Sequence, residues 1–87
     1  MQATVLCFAL ARELAGTSEL TIPLDEPATV ADLRAAIARA CPALETLLPH
    51  LRIAVDGSYT VDSDPVEPGA EIALIPPVSG GWGAVRR

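Results

Sequence analysis

Residues 2–9, Gln-Ala-Thr-Val-Leu-Cys-Phe-Ala, carry the two-residue period of a β-strand, with Ala3, Val5 and Cys7 on one face and Thr4, Leu6 and Phe8 on the other. Both faces turn apolar toward the end of the run, so one is expected against a core and the other is free to meet a partner. Leu10–Ala15 reads as one or two helical turns stopped by Gly16, a residue that accepts the backbone of a helix C-cap. Thr17–Leu24 reads as a second strand with Leu20, Ile22 and Leu24 inward. Two strands so close in sequence are expected to pair antiparallel.

After the connection Asp25-Glu26-Pro27-Ala28 the period changes. Val30, Leu33, Ala36, Ile37, Ala40 and Leu44 follow helical spacing. Thr29 is placed to cap this helix, and Asp32, three residues on, to complete a capping box and favour the helix dipole. Pro42 disfavours helix in the residue before it, so the helix is expected to end near Cys41. Pro42–Leu48 has the makings of a further short turn. Leu51–Val55 then reads as a third strand, Asp56-Gly57 as a hairpin turn and Ser58–Val61 as a short returning strand. Polar turns follow at Asp62–Pro65 and Pro68-Gly69. Glu71–Ile75 is the last strand, with Ile72 and Leu74 inward and Ala73 and Ile75 outward.

This order of elements is most economically folded as one main helix packed across a mixed sheet. The fold class expected is α+β, a β-grasp (ubiquitin-like) arrangement of about four to five strands with the first and last strands parallel at the centre. One small domain is all that 87 residues allow. Its core must be aliphatic, since Phe8, Tyr59 and Trp82 are the only aromatics.

Charge narrows the partners. The net charge is −5 and all six cations are arginine, so the chain contains no lysine. An acidic chain without a basic stripe argues against nucleic acid and fits a basic protein surface better. Asp56, Asp62, Asp64, Glu67 and Glu71 read either as a solvated acidic face or as a patch that steers such a partner. With two separated cysteines, Cys7 and Cys41, and one histidine, His50, no zinc site is expected; both thiols read as core positions, and His50 as a loop residue. No run suits a signal peptide or a membrane span, and the expected location is cytoplasmic. Arg12-Glu13 reads as a local ion pair or a helix-surface pair, of small energetic value in either case.

The candidate chemistry lies at the end of the last strand. Pro76-Pro77 cannot continue a helix or a paired strand and favours a stiff, extended path. Val78 and Ser79 lead to Gly80-Gly81, which lack side chains and can thread a narrow groove. This is the pattern of a tail built to insert its tip into another protein. Six residues, Trp82-Gly83-Ala84-Val85-Arg86-Arg87, follow it.

Three stretches carry a resemblance: Phe8-Ala9-Leu10-Ala11-Arg12-Glu13-Leu14-Ala15-Gly16, Ala54-Val55-Asp56-Gly57, and Ile72-Ala73-Leu74-Ile75-Pro76-Pro77-Val78-Ser79-Gly80-Gly81. In order and spacing they resemble the small-subunit family of molybdopterin synthase, ubiquitin-like sulfur carriers. The resemblance implies a carrier domain over residues 1–81 and a flexible extension over 82–87. It implies that Gly81 is the residue adenylated and then thiocarboxylated, with Gly80 as its threading neighbour. It implies docking through Phe8, Ile75, Pro76, Pro77, Val78 and Ser79. Ile75 stands where the family often has an aromatic. For Phe8 the residues themselves also allow a core position.

The partners implied are the large synthase subunit, an E1-like adenylyltransferase and a protease that removes the extension. No cofactor is expected on this chain; ATP and Mg²⁺ serve the adenylating partner. On its own the chain is not expected to be an enzyme, but to be the sulfur-donating subunit of one. Three accounts of the extension stay open: proteolytic removal, a gene-boundary feature, or a relative that binds partners without carrying sulfur. Sulfur delivery to another pathway (cysteine, thiamine-like or secondary-metabolite), a non-catalytic ubiquitin-like interaction module and a protein modifier are the competing functions.

Overall fold

The computed structural model describes residues 1–76. Their elements run β1 (Gln2–Cys7), α1 (Ala9–Ala15), β2 (Glu19–Pro23), β3 (Ala28–Thr29), α2 (Val30–Ala40), β4 (Arg52–Val55), β5 (Ser58–Tyr59), β6 (Pro65–Val66) and β7 (Glu71–Ile75). Two 3₁₀ turns, Pro42–Leu44 and Leu48–His50, join α2 to β4.

Alternation in β1 and β7 decides the sheet. Val5, Cys7, Ile72 and Leu74 are buried on one face, and pairing these two strands in parallel puts their apolar rows side by side. Antiparallel neighbours extend the sheet to the order β2-β1-β7-β4-β5. This is the β-grasp arrangement, with the first and last strands parallel at its centre as the sequence leads one to expect.

Helix α2 lays Val30, Leu33, Ala36 and Ile37 on the inner face, where they join Ile22, Ile53 and Leu74 in one core. Burying a side chain such as Leu33 or Ile37 contributes roughly 1.5–3 kcal/mol, so this stripe is the main cohesive contact between helix and sheet. Ala40 departs from the expected stripe and faces solvent. Leu44 is buried as expected, but it reaches the core from the 3₁₀ turn after Pro42 rather than from a continued helix.

A second sheet stands beyond the elements expected from the sequence. Ala28–Thr29 pairs antiparallel with Pro65–Val66, so the segment read as a polar turn contains a strand. The capping box and the segment leading into β6 together saturate the start of α2. The four N–H groups that a helix N-terminus leaves without internal partners are all bonded here. Thr29 N donates to Asp32 Oδ2 at 2.9 Å and Asp32 N to Thr29 Oγ1 at 3.3 Å, the expected capping box. Val30 N donates to the Asp64 carbonyl at 2.9 Å and Ala31 N to the Asp62 carbonyl at 3.0 Å. The returning strand β5 is also shorter than expected, since Val61 lies beyond its end and is exposed.

Candidate functional site

Because β1 and β7 run parallel, whatever follows β1 lies at the same end of the sheet as whatever follows β7. Phe8 and α1 follow β1; Pro76 and the tail follow β7. The register of β7 with β4 brings Arg52 opposite Ile75 at that same end. Phe8, Ile75, Pro76 and Arg52 are therefore gathered around the point where the tail leaves the domain.

Phe8 is 47% exposed, which removes the core reading of this residue. Its backbone is extended, and Ala9 after it takes a positive φ of 50°, so the chain turns sharply out of β1 into α1. Gly16 at φ 75° ends that helix, with its N–H donating to the Arg12 carbonyl. Ala11 is the buried residue of α1, while Leu10 and Leu14, one turn apart, stay exposed. These two leucines add apolar surface at the tail end that the sequence reading assigns no role. Ile75, Ala73 and Leu6 are half-buried on the outward face of the sheet.

The outward face has a polarity along its length. Tyr59 stands opposite Ala54 across the β4–β5 ladder and is 60% exposed. The Arg52 guanidinium lies 5.0 Å from the centroid of the Tyr59 ring. Glu71 and the turn residue Asp56 occupy the other end of the same strands. Nothing in residue spacing announces the Arg52–Tyr59 pair. The parity of Arg52, two positions before outward Ala54, is the one available signal.

Several of the acidic residues do local structural work. Asp56 Oδ1 accepts the Glu71 N–H at 2.9 Å, Asp64 Oδ2 accepts the Val61 N–H at 2.9 Å, and Asp62 Oδ1 pairs with Arg34 Nε at 3.0 Å. These three hold turns in place, in addition to making the surface acidic. Among the described residues Arg34–Asp62 is the ion pair present, so Arg12 and Glu13 are an exposed surface pair on α1 rather than an ion pair.

The outward-pointing groups of edge strand β2 are largely occupied: Thr17 Oγ1 bonds both the N–H and the carbonyl of Glu19, and Pro23 has no N–H. Thr21 is left, among the described residues, as the one position of β2 able to offer both groups to another strand. Cys7 is buried, and burial together with the nearby Cys41 thiol pushes its pKa up, which removes it from nucleophilic chemistry. Cys41 is half-buried at the end of α2 rather than fully in the core. His50 sits exposed in a 3₁₀ turn. Among the described residues no three His, Cys, Asp or Glu side chains are grouped to hold a metal, and no helix is long and apolar enough to cross a membrane. The sequence candidates Pro77, Val78, Ser79, Gly80 and Gly81 lie outside the described residues.

A mixed sheet with parallel central strands, one helix across its inner face and an apolar end from which the last strand departs defines a ubiquitin-like protein of the β-grasp class. The chain belongs to the ThiS family, whose model matches residues 5–81. It is 41% identical over 83 residues to the molybdopterin synthase sulfur carrier subunit of Chlamydomonas reinhardtii, covering 93% of this chain and 100% of that protein. The crystal structure of small archaeal modifier protein 1 of Haloferax volcanii superposes with a TM-score of 0.81 at 30% identity, covering 88% of this chain and 98% of that one. A chain in the complex of subunits 1 and 2 of the molybdopterin-converting factor of Helicobacter pylori superposes with a TM-score of 0.67 at 26% identity, covering 93% of this chain and 100% of that chain.

Proposed function

We propose that this chain is the sulfur-carrier subunit of a molybdopterin synthase, working in the cytoplasm after residues 82–87 are removed to free the Gly81 carboxylate. The observation that carries this reading is the family match, which runs through Pro-Pro-Val-Ser-Gly-Gly and stops at residue 81. A carboxylate is a poor electrophile. An E1-like partner uses ATP and Mg²⁺ to convert it to an acyl-adenylate, with pyrophosphate released. Sulfide delivered by a partner then displaces AMP and leaves a thiocarboxylate on Gly81. The large synthase subunit binds the domain, takes up the tail and supplies the acid–base groups, and the sulfur passes to cyclic pyranopterin monophosphate.

The domain's own part is to be gripped and to aim the tip. Phe8 and Ile75 offer apolar surface beside Pro76, where the chain leaves β7. We assign Val78, Ser79 and Gly80 to the stretch that the large subunit takes up, with glycine as the residue suited to a narrow channel.

The test is the intact mass of the protein isolated from its own cells during active cofactor synthesis. A species ending at Gly81, with one oxygen replaced by sulfur, is expected. Full-length chain as the sole species would overturn the reading. Gly81→Ala is expected to abolish sulfur transfer, whereas a purely non-catalytic interaction module would tolerate it.

A second reading, a protein modifier joined through Gly81 to other chains, draws on the likeness to the archaeal modifier. Denaturing electrophoresis after activation separates the two: a modifier leaves covalent adducts on other proteins, a carrier leaves none. A carrier serving another sulfur pathway is told apart by its acceptor, which would co-purify in place of a large synthase subunit.

A further inference from the structure

We propose that Arg52, stacked on Tyr59, is the residue that fixes the orientation of this domain on the large synthase subunit, by pairing with a carboxylate of that subunit. This rests on the synthase reading above and adds to it a specificity-determining contact.

Position is the first argument. Arg52 is the cross-strand partner of Ile75, the last residue of β7, so it stands beside the root of the tail. Its side chain points to the outward face with Ala54 and Tyr59, the face that carries Leu6, Ala73 and Ile75. Apolar contact around a tail is non-directional and leaves the domain free to turn about the tail axis. One ion pair set to the side of that axis removes the freedom, and the tip then enters its channel in a single orientation.

Chemistry is the second argument. The guanidinium carbon lies over the Tyr59 ring, 5.0 Å from its centroid, and no carboxylate of the described residues takes its N–H donors. Those donors form a planar fork that matches a carboxylate. Tyr59 also holds the long Arg52 side chain in place, so less conformational freedom is lost when a partner binds.

Electrostatics is the third. The ion pair formed among the described residues is Arg34–Asp62, so the chain's own acids do not neutralise Arg52. Asp56 and Glu71 lie at the far end of the same face. A face that is cationic at the tail end and anionic at the other end fits a partner with the reverse arrangement: a carboxylate at the mouth of its tail channel and a cation further out.

The experiment measures binding of the large subunit from the same genome, by titration calorimetry, to the full-length chain and to the chain ending at Gly81. Arg52→Glu is expected to weaken binding by about tenfold or more, Tyr59→Ala by a few-fold, and Tyr59→Phe hardly at all, because Phe keeps the ring face. Added NaCl is expected to weaken wild-type binding more than that of Arg52→Ala, as screening of a lost charge has no effect. Arg39→Glu, on α2 across the inner face, is the control and is expected to bind as wild type. Thermal unfolding of every variant at the wild-type temperature excludes misfolding as the cause. Wild type binding with Arg52→Glu within about twofold of it overturns the inference alone. Failure of the wild type to bind in either form takes away the synthase reading and this inference with it.

Discussion

Asp56 and Glu71 hold each other by two hydrogen bonds: Asp56 N donates to the Glu71 carbonyl at 2.8 Å, and Glu71 N donates to Asp56 Oδ1 at 2.9 Å. The pair fastens the β4–β5 turn to the first residue of β7, the strand that aims the tail. Asp56 also takes a φ of 52°, with Gly57 after it at 84°, the paired positive angles of a tight hairpin turn. Asn tolerates that backbone and keeps an acceptor oxygen; Ala does neither. Asp56→Ala is therefore expected to cost about 1–2 kcal/mol and Asp56→Asn much less. Urea denaturation checks the order, and equal losses would deny the side-chain bond its role.

Ala9 offers a test of the turn that displays Phe8. A non-glycine residue held at φ 50° carries strain of about 1–2 kcal/mol. Glycine relieves the strain but loosens the unfolded chain, which offsets roughly 0.4–1 kcal/mol. Ala9→Gly is expected to raise stability by up to about 1 kcal/mol, read from the same denaturation curves. A net loss would show that the turn is held without strain.

Where chain-local chemistry decides the structure, the sequence discloses it. Thr29 and Asp32 form their capping box, Pro42 ends α2 at Ala40, Gly16 caps α1, and the alternation of Ile72 and Leu74 orients β7. The β3–β6 pair is hidden because Ala28–Thr29 and Pro65–Val66 are too short to show a period and meet only in three dimensions. The exposure of Phe8 is half-hidden for another reason. Its parity in the β1 run places it outward, but its setting depends on the turn at Ala9, an angle no spacing reveals. Arg52 and Tyr59 are seven residues apart across a hairpin, so their stacking follows from the register of β4 with β5.

Arg34 ties α2 to both segments beside it. Its Nη1 donates to the Leu48 carbonyl at 2.6 Å and its Nε to Asp62 Oδ1 at 3.0 Å. The two contacts differ in worth. Asp62 is largely exposed, so its ion pair is screened and contributes under about 1 kcal/mol. The bond to Leu48 is partly buried and leaves a backbone carbonyl without its charged donor when Arg34 is removed. Asp62→Asn is expected to leave stability within about 0.5 kcal/mol of wild type, and Arg34→Ala to cost about 1–2 kcal/mol. The Asp62 variant should also lose its sensitivity to added salt, whereas a larger loss at Asp62 than at Arg34 would reverse this assignment.

The two thiols should separate in reactivity. Cys7 is fully buried at the end of β1, and burial, reinforced by the neighbouring Cys41 thiol, raises its pKa. The thiolate is the reacting form, so Cys7 is protected both by occlusion and by protonation. Iodoacetamide at mildly alkaline pH is expected to give one adduct quickly, at half-buried Cys41, and a second only at the rate at which the fold opens. The same shift sets the sign of a pH effect. With the folded pKa above the unfolded one, the unfolded chain releases its proton first as pH rises, and the folded state binds more protons over that interval. Stability contributed by the neutral thiol is therefore present at neutral pH and is lost as pH climbs past the ordinary thiol range toward the raised value. Measured against Cys7→Ala, which lacks this titration, the wild type should lose stability more steeply on the alkaline side. Parallel curves, or equal alkylation of Cys7 and Cys41, would contradict the burial of Cys7.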